Sequence, residues 1–319
     1  MAVDLGTGGS PVSGAAPRLR RSASRPRSST LARALSTGRG RIGVGLAGLV
    51  LLVAVLGPFL APYAPRSFQG SPLQGPTSHD LLGTDTLGRD VLSRVLAGGW
   101  ELLLMGVIAT GIGVGLGAAI GIVAAHRGGA TDAILMRCTD VVLAFPQVVF
   151  ALLLVSIYGA SVWLVVLAVA LAHAPQVARV IRSAALDVSE RDFVRSAELI
   201  AFPPWKVMSR EILPSLTSPL MVETGLRLTW SLIIIAGLSF LGFGIQPPAP
   251  SWGGMINESR LGMAANPWAV IAPAALLALL TVGTNLVTDA IARVSLGIDR
   301  SSTATALAPL NVGEIEAGE

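Results

Sequence analysis

The chain has 319 residues, 52% of them hydrophobic and only 13% charged, with a mean hydropathy of +0.68 and a net charge of +4. Soluble domains carry about 25% charged residues, so this composition could not cover a water-exposed surface without leaving large apolar patches. The surplus must face lipid, which predicts an all-α membrane protein.

Eight arginines (Arg18, Arg20, Arg21, Arg25, Arg27, Arg33, Arg39 and Arg41) precede the first apolar run. A nucleic-acid-binding arm would use such residues, and a transit peptide would share the Arg- and Ser-rich, acid-poor composition. A disordered cytoplasmic tail over residues 1–41, obeying the positive-inside rule, accounts for more and implies no nucleic-acid partner.

Crossing a ~30 Å hydrocarbon core takes about 20 apolar residues. The runs that qualify predict six spans, at about 42–61, 101–125, 141–158, 161–180, 222–245 and 268–291. The flank of the first looks like a signal peptide, but its apolar core exceeds the usual length of about 7–15 residues, so it reads as a permanent helix. With both termini inside, the outer segments hold only Arg66, Arg89, Arg94 and Arg260. The inner segments hold Arg127, Arg137, Arg182, Arg191, Arg195, Lys206, Arg210 and Arg300, which supports N-in, C-in. Residues 301–319 read as a disordered tail.

Between the first two spans, residues 86–96 place Leu87, Val91, Leu92, Val95 and Leu96 at helical spacing. That predicts an amphipathic helix along the outer membrane face. Asp80, Asp85 and Asp90 lack calcium-loop spacing, and Asp85 is expected to form a turn. The second span carries Gly111, Gly113, Gly115, Gly117 and Gly121, small residues that let helix backbones approach closely.

Sites for bond-making chemistry are not apparent. A phosphate-cradling loop needs Gly-Lys followed by Ser or Thr, yet the lone lysine, Lys206, stands between Trp205 and Val207. His79, His126 and His173 are too dispersed for a local zinc motif, and Cys138 has no partner for a disulfide. Of the histidines, His173, beside Pro175, is the one placed for a function. Glu101, Asp140, Glu223, Arg227 and Asp289 fall near predicted span ends, so an ion-coupled carrier, which needs mid-membrane ionisable groups, is disfavoured. A membrane-embedded enzyme is disfavoured too, since no nucleophile–base pair is visible. Thr281, Asn285, Thr288 and Asp289 share one face of the last span and would line a polar cleft or bond to a neighbouring helix.

The loop over 182–219 is the most informative. Ser189, followed by Asp192, suits a helix N-cap, and Phe193, Ala197, Ile200 and Ala201 then fall on one face. Phe202-Pro203-Pro204 breaks that helix, and a second amphipathic piece runs through Trp205, Met208, Ile212 and Leu213 to Pro214. Pattern alone serves equally for docking into a groove of a soluble partner and for lying on lipid.

The run Asp192-Phe193-Val194-Arg195-Ser196-Ala197-Glu198-Leu199-Ile200-Ala201, followed by Trp205-Lys206 and Arg210-Glu211-Ile212-Leu213-Pro214, resembles the EAA coupling loop of ABC-importer permeases. Two further stretches are similar to the dipeptide/oligopeptide/nickel permeases: His79 to Arg94, around Gly83-Thr84-Asp85-Thr86-Leu87-Gly88-Arg89-Asp90, and Ser239 to Gly253, ending Pro250-Ser251-Trp252-Gly253. The likeness covers about residues 42–300 and is greatest to the second, six-span permease of the pair.

The resemblance implies a type I importer permease fold in the bacterial plasma (inner) membrane. It also implies a second homologous permease, two cytoplasmic ABC ATPases that bind the ATP and magnesium, and an extracytoplasmic solute-binding protein. No catalytic, cofactor or metal residue is then expected on this chain. Phe193, Arg195, Ala197, Glu198, Ile200, Ala201, Trp205, Arg210 and Pro214 become the residues that couple to the ATPase. Peptides are the implied solutes, with nickel complexes, glutathione and opines open as alternatives. This loop departs from the family twice: Arg195 replaces the usual Glu, and Ala201 replaces a near-invariant Gly whose left-handed turn alanine disfavours. The Phe202-Pro203-Pro204 break is expected to end the helix instead, and Arg195 calls for an acidic counterpart on the ATPase.

Overall fold

A computed structural model describes residues 34–296, and among these the only regular elements are helices, with two isolated bridges at Phe68–Arg89 and Thr84–Asp90. Helix α1 (Gly38–Leu60) begins four residues earlier than its hydropathy suggests, because the Thr37 hydroxyl caps the Gly40 amide. Residues 34–41 of the expected tail are thus largely helical, while residues 1–33 and 297–319 lie outside the described residues. Among the described residues, five helices are long and apolar enough to cross a membrane, six if one bent pair counts as a single span.

The expected surface helix over 86–96 is corrected. Residues 86–90 form a turn with Gly88 at φ +77°, and the helix, α2 (Val91–Ala97), starts only where the Asp90 carboxylate accepts from the Ser93 amide at 2.8 Å. Val91, Arg94 and Val95 are buried, and α2 runs on into α3 (Trp100–Arg127) with little bend. Leu87 alone of the expected stripe stays well exposed. Tertiary packing has claimed the face assigned to lipid headgroups.

The third expected span, 141–158, is not one helix. It divides into the end of α4 (Gly129–Leu143) and α5 (Gln147–Tyr158), which meet at 84°. Pro146 is the cause: it lacks an amide hydrogen and drives Phe145 out of helical backbone. Hydropathy averaged over the run hides such a break.

Helix α6 (Val162–Ser189) is opened by the Ser161 hydroxyl on the Leu164 amide and has 28 residues, about 42 Å at 1.5 Å per residue. It therefore outruns the hydrocarbon core and carries its last turns toward the loop beyond. A short α7 (Asp192–Leu199) leads to a chain of helical turns, Pro204–Lys206, a π-helical Val207–Ile212 and Leu213–Ser215. Helix α8 (Thr217–Phe240), the short α9 (Trp252–Ser259) and α10 (Trp268–Leu296) complete the fold.

Helices α3 and α6 form the most extensive pair, and glycine makes it possible. A side chain on Gly113, Gly117 or Gly121 would run into the Ala170, Ala174 or Ala178 carbonyl at 2.9, 2.5 and 2.6 Å respectively. Gly111 and Gly115 face open space. The i, i+4, i+8 set is thus the packing groove, and the other two glycines are not part of it. Hydroxyls tie further helices across the bundle: Thr110 and Ser231 are hydrogen-bonded at 3.0 Å, and Thr229 and Thr284 at 3.1 Å. Of the polar set expected on one face of α10, Thr288 is buried against Gly225 and Asn285 is exposed, while Asp289 bonds Arg293 and Arg39 near the surface; Thr284, outside that set, bonds Thr229.

Candidate functional site

Two connecting regions stand at opposite ends of α8, which leaves the loop over 190–216 at Thr217 and reaches the segment over 241–267 at Phe240. The first region is an elbow. Its inner side is apolar and closed: Val194, Ala197, Val207, Ile212 and Leu216 pack with Val188, Ala185 and Ile181 of α6 and with Ala118, Ile122 and Ala125 of α3. His126 at the end of α3 lies 3.6 Å from the Glu198 carboxylate. The elbow is therefore seated on the ends of the two most tightly packed helices.

Its outer side is the reverse. Leu199 is 87% exposed, Ile200 69% and Trp205 61%, with Phe193 and Phe202 also exposed. Arg195, Arg210 and Pro214 are on the solvent side as well, and the Lys206 ammonium sits 5.7 Å over the Trp205 ring. The expected helical face is thereby corrected: Val194, not Phe193, turns inward beside Ala197, while Ile200 and Ala201 lie outside. Of the nine coupling residues read from the sequence, only Ala197 is buried.

Two local expectations also change. Ser189 is not the cap of α7; it is the last residue of α6 and donates to the Ala185 carbonyl, and Arg191 precedes α7 with no side-chain cap. Helix α6 simply ran on past its expected end at 180. The exit from α7 does not avoid a left-handed residue either. Ala201 adopts φ +60°, the Phe202 amide donates to the Ala197 carbonyl and the Ala201 amide to that of Glu198. This is the Schellman exit that glycine usually occupies, made here by alanine at a cost of about 1 kcal/mol.

The second region is a cap closed around charge. The Asp85 carboxylate accepts from the Leu87 and Arg89 amides at 2.8 and 3.0 Å, from Arg89 Nε at 2.7 Å and from Arg94. Glu258 of α9 meets both arginines, Arg89 at 2.7 Å and Arg94 at 2.9 Å. Arg94 is only 1% exposed. Burial raises the cost of charging Asp85, but the two amides and the two guanidiniums together outweigh it and hold the carboxyl below the usual range. Asp85 does form the expected turn, and it also anchors a cluster that sequence reading missed. Glu258, 169 residues beyond Arg89, gave no local signal.

The two family-like stretches meet here. The fully buried Trp252 donates its indole N–H to the Val95 carbonyl at 2.8 Å, and Gly99 leaves the room its ring fills. Asn266 donates to the Leu82 and Thr84 carbonyls at 2.9 and 3.0 Å, closing the turn from a third segment.

Within the bundle, two charges lie deeper than their sequence positions suggested. Because α8 starts at Thr217, Glu223 and Arg227 are two and three turns inside it, buried and 3.2 Å apart. Arg227 also donates to Gln176 of α6. His173 is fully buried beside Gln147. Glu101 stays exposed at the start of α3, and Asp140 pairs with Arg179. Among the described residues, no three His, Cys, Asp or Glu side chains group as a metal site.

The family described as binding-protein-dependent transport system inner membrane component matches residues 117–295 of this chain. The glutathione transport system permease protein GsiD of Pectobacterium atrosepticum is 37% identical over 251 residues, 78% of this chain and 83% of that protein. The proteins of that name from Escherichia coli and Shigella boydii are each 37% identical over 243 residues, 76% of this chain and 80% of theirs. The matched region runs from the glycine groove of α3 through the elbow to the end of α10.

Proposed function

Because the chain belongs to the family of binding-protein-dependent transport system inner membrane components, the inner-membrane permease subunits of ABC importers, we propose that its elbow is the socket for a separate ATPase. The observation that carries this is the division of the elbow into two sides. Val194, Ala197, Val207 and Ile212 are locked into the ends of α3 and α6, while Phe193, Leu199, Ile200, Phe202 and Trp205 face out. Exposed aromatic and aliphatic side chains on a short helix suit a groove in a protein partner. A push on such a helix passes directly to α6, which is continuous into the membrane.

The reading continues as follows. A second permease and this chain enclose the path, two ATPases bind ATP and magnesium, and an external binding protein delivers the solute. Closure of the ATPases draws the elbows together and reorients the path, and solute crosses unchanged. A lone lysine outside any phosphate loop supports the assignment of nucleotide chemistry to the partners. A peptide-like solute is favoured by the GsiD relatives, whose names specify glutathione, itself a tripeptide.

Reconstitution tests this reading. Proteoliposomes holding both permeases, the ATPases and the binding protein should take up glutathione or small peptides only with ATP. Ile200→Cys should cross-link to a cysteine in the ATPase groove. Uptake by the permeases alone on an ion gradient would overturn it. Arg195 adds a finer test: Arg195→Glu should weaken ATPase assembly, and unchanged assembly would rule out an acidic counterpart.

A further inference from the structure

The kink between α4 and α5 borders a cavity of about 340 Å³, lined by residues 142–147 and by Phe150, Ala172 and Gln176. That volume lies within the range of small-ligand sites, about 300–1,000 Å³. Among the lining residues the only polar side chains are two amides, Gln147 at the start of α5 and Gln176 in the middle of α6. Both are half-buried, so each has an accessible part.

The chemistry of their partners dictates how each amide is turned. Arg227 has only donors, so the bond it makes to Gln176 takes the Gln176 oxygen. The Gln176 NH2 group is left over. Gln147 meets a carbonyl, that of Ala172 at 3.2 Å, which can only accept, so the Gln147 nitrogen faces it. The same nitrogen is 3.4 Å from His173 Nδ1. The Gln147 oxygen is left over. Behind them the supports are buried: Glu223 holds Arg227, and the His173 ring is fully enclosed. Neither amide can flip without setting a donor against a donor or an acceptor against an acceptor.

The side chains of the cavity wall thus offer one fixed donor and one fixed acceptor. A peptide group presents the complementary pair, a C=O and an N–H. We propose that Gln147 and Gln176 form a solute-recognition site in the membrane path that reads the amide linkage of a peptidic solute, with Arg227 and His173 as positioning residues. The site rests on the permease reading above. It gives the path a selectivity of its own, additional to that of the binding protein, and it is neutral, so solutes of differing side-chain charge are accommodated.

The test uses the complete reconstituted importer with labelled trialanine and an analogue in which one amide is an ester, which keeps the C=O and lacks the N–H. Gln176→Leu should lower ATP-dependent uptake of both about fivefold, the scale of one hydrogen bond. Gln147→Leu should lower trialanine uptake by a similar factor and leave uptake of the ester close to that of the unsubstituted complex. Assembly, and ATP hydrolysis without solute, should be unchanged in both. As a second measurement, Gln147→Cys and Gln176→Cys, in a Cys138→Ser background, should react with a water-soluble thiol reagent more slowly when trialanine is saturating. Equal losses for the two solutes in Gln147→Leu, no loss in either variant, or labelling indifferent to trialanine would overturn the site while leaving the permease reading intact. Failure of the unsubstituted complex to import any peptide would overturn the peptide reading and this site with it.

Discussion

The cap and the elbow are both connections between membrane helices, yet they treat polarity in opposite ways. The cap buries its charges: Asp85, Arg89, Arg94 and Glu258 form ion pairs with one another near Trp252 and the turn held by Asn266, leaving only Arg94 Nε and Nη2 without a partner. The elbow keeps its charges in water and exposes apolar rings instead. A buried network built from segments far apart pairs its charges within this chain, and its value is a single rigid geometry. A short helix with aromatic residues outward is half an interface. The contrast separates a region whose charges are paired within this chain from the region proposed above to meet a partner.

Substitutions can break that contrast, beginning with the cap. Asp85→Asn removes the shared anion and leaves two buried guanidiniums with Glu258 alone, so it should destabilise the subunit by about 3–5 kcal/mol. Thermal unfolding of the detergent-solubilised importer would show this as a lower midpoint, and an unchanged midpoint would mean the network is not structural. Gly117→Val should cost a comparable amount, since the new side chain meets the Ala174 carbonyl at 2.5 Å, whereas Gly115→Val should be neutral.

Acid should act on the same cap. The Asp85 carboxyl titrates below the ordinary carboxylate range, so the stabilisation it provides is fully present above about pH 4. It is lost as the pH falls through the lowered value. In Asp85→Asn that part of the acid dependence should vanish, a difference that pH-dependent unfolding curves would read.

The elbow should respond on a smaller scale and in a different property. Ala201→Gly relieves the left-handed alanine and should stabilise the exit of α7 by about 1 kcal/mol, visible as slower hydrogen exchange at the Phe202 amide. Ile200→Ser should alter the stability of the isolated subunit by no more than about 0.5 kcal/mol while uncoupling ATP hydrolysis from uptake. If it instead unfolds the subunit, the outward face belongs to the core and the contrast with the cap fails.

Most of the membrane architecture was legible in the chain because lipid makes a crude demand: about 20 apolar residues without a charge. Five of the six expected spans fall within the observed helices or shift by only a few residues, as with 222–245, which became Thr217–Phe240. The third, 141–158, is broken at Pro146, where one residue outweighs a favourable average. In the elbow the sequence marked a loop rich in apolar residues between two spans, but not which of Phe193 and Val194 turns inward. Both are apolar and adjacent, and only the packing of α7 on α6 discriminates them.

Local chemistry in the sequence was enough to determine that this protein lives in a membrane, that its positive charges are more numerous in one set of connecting segments than in the other, and that a proline-broken amphipathic stretch lies within residues 192–214. Hydrophobicity, proline and charge act over a few residues and can be read without coordinates. Only the tertiary structure decided that Gly113, Gly117 and Gly121 form the groove rather than Gly111 and Gly115, that Glu258 closes the cap, and that Gln147 and Gln176 face one cavity. Those outcomes depend on how rigid helices are rotated and brought together, which no single segment specifies.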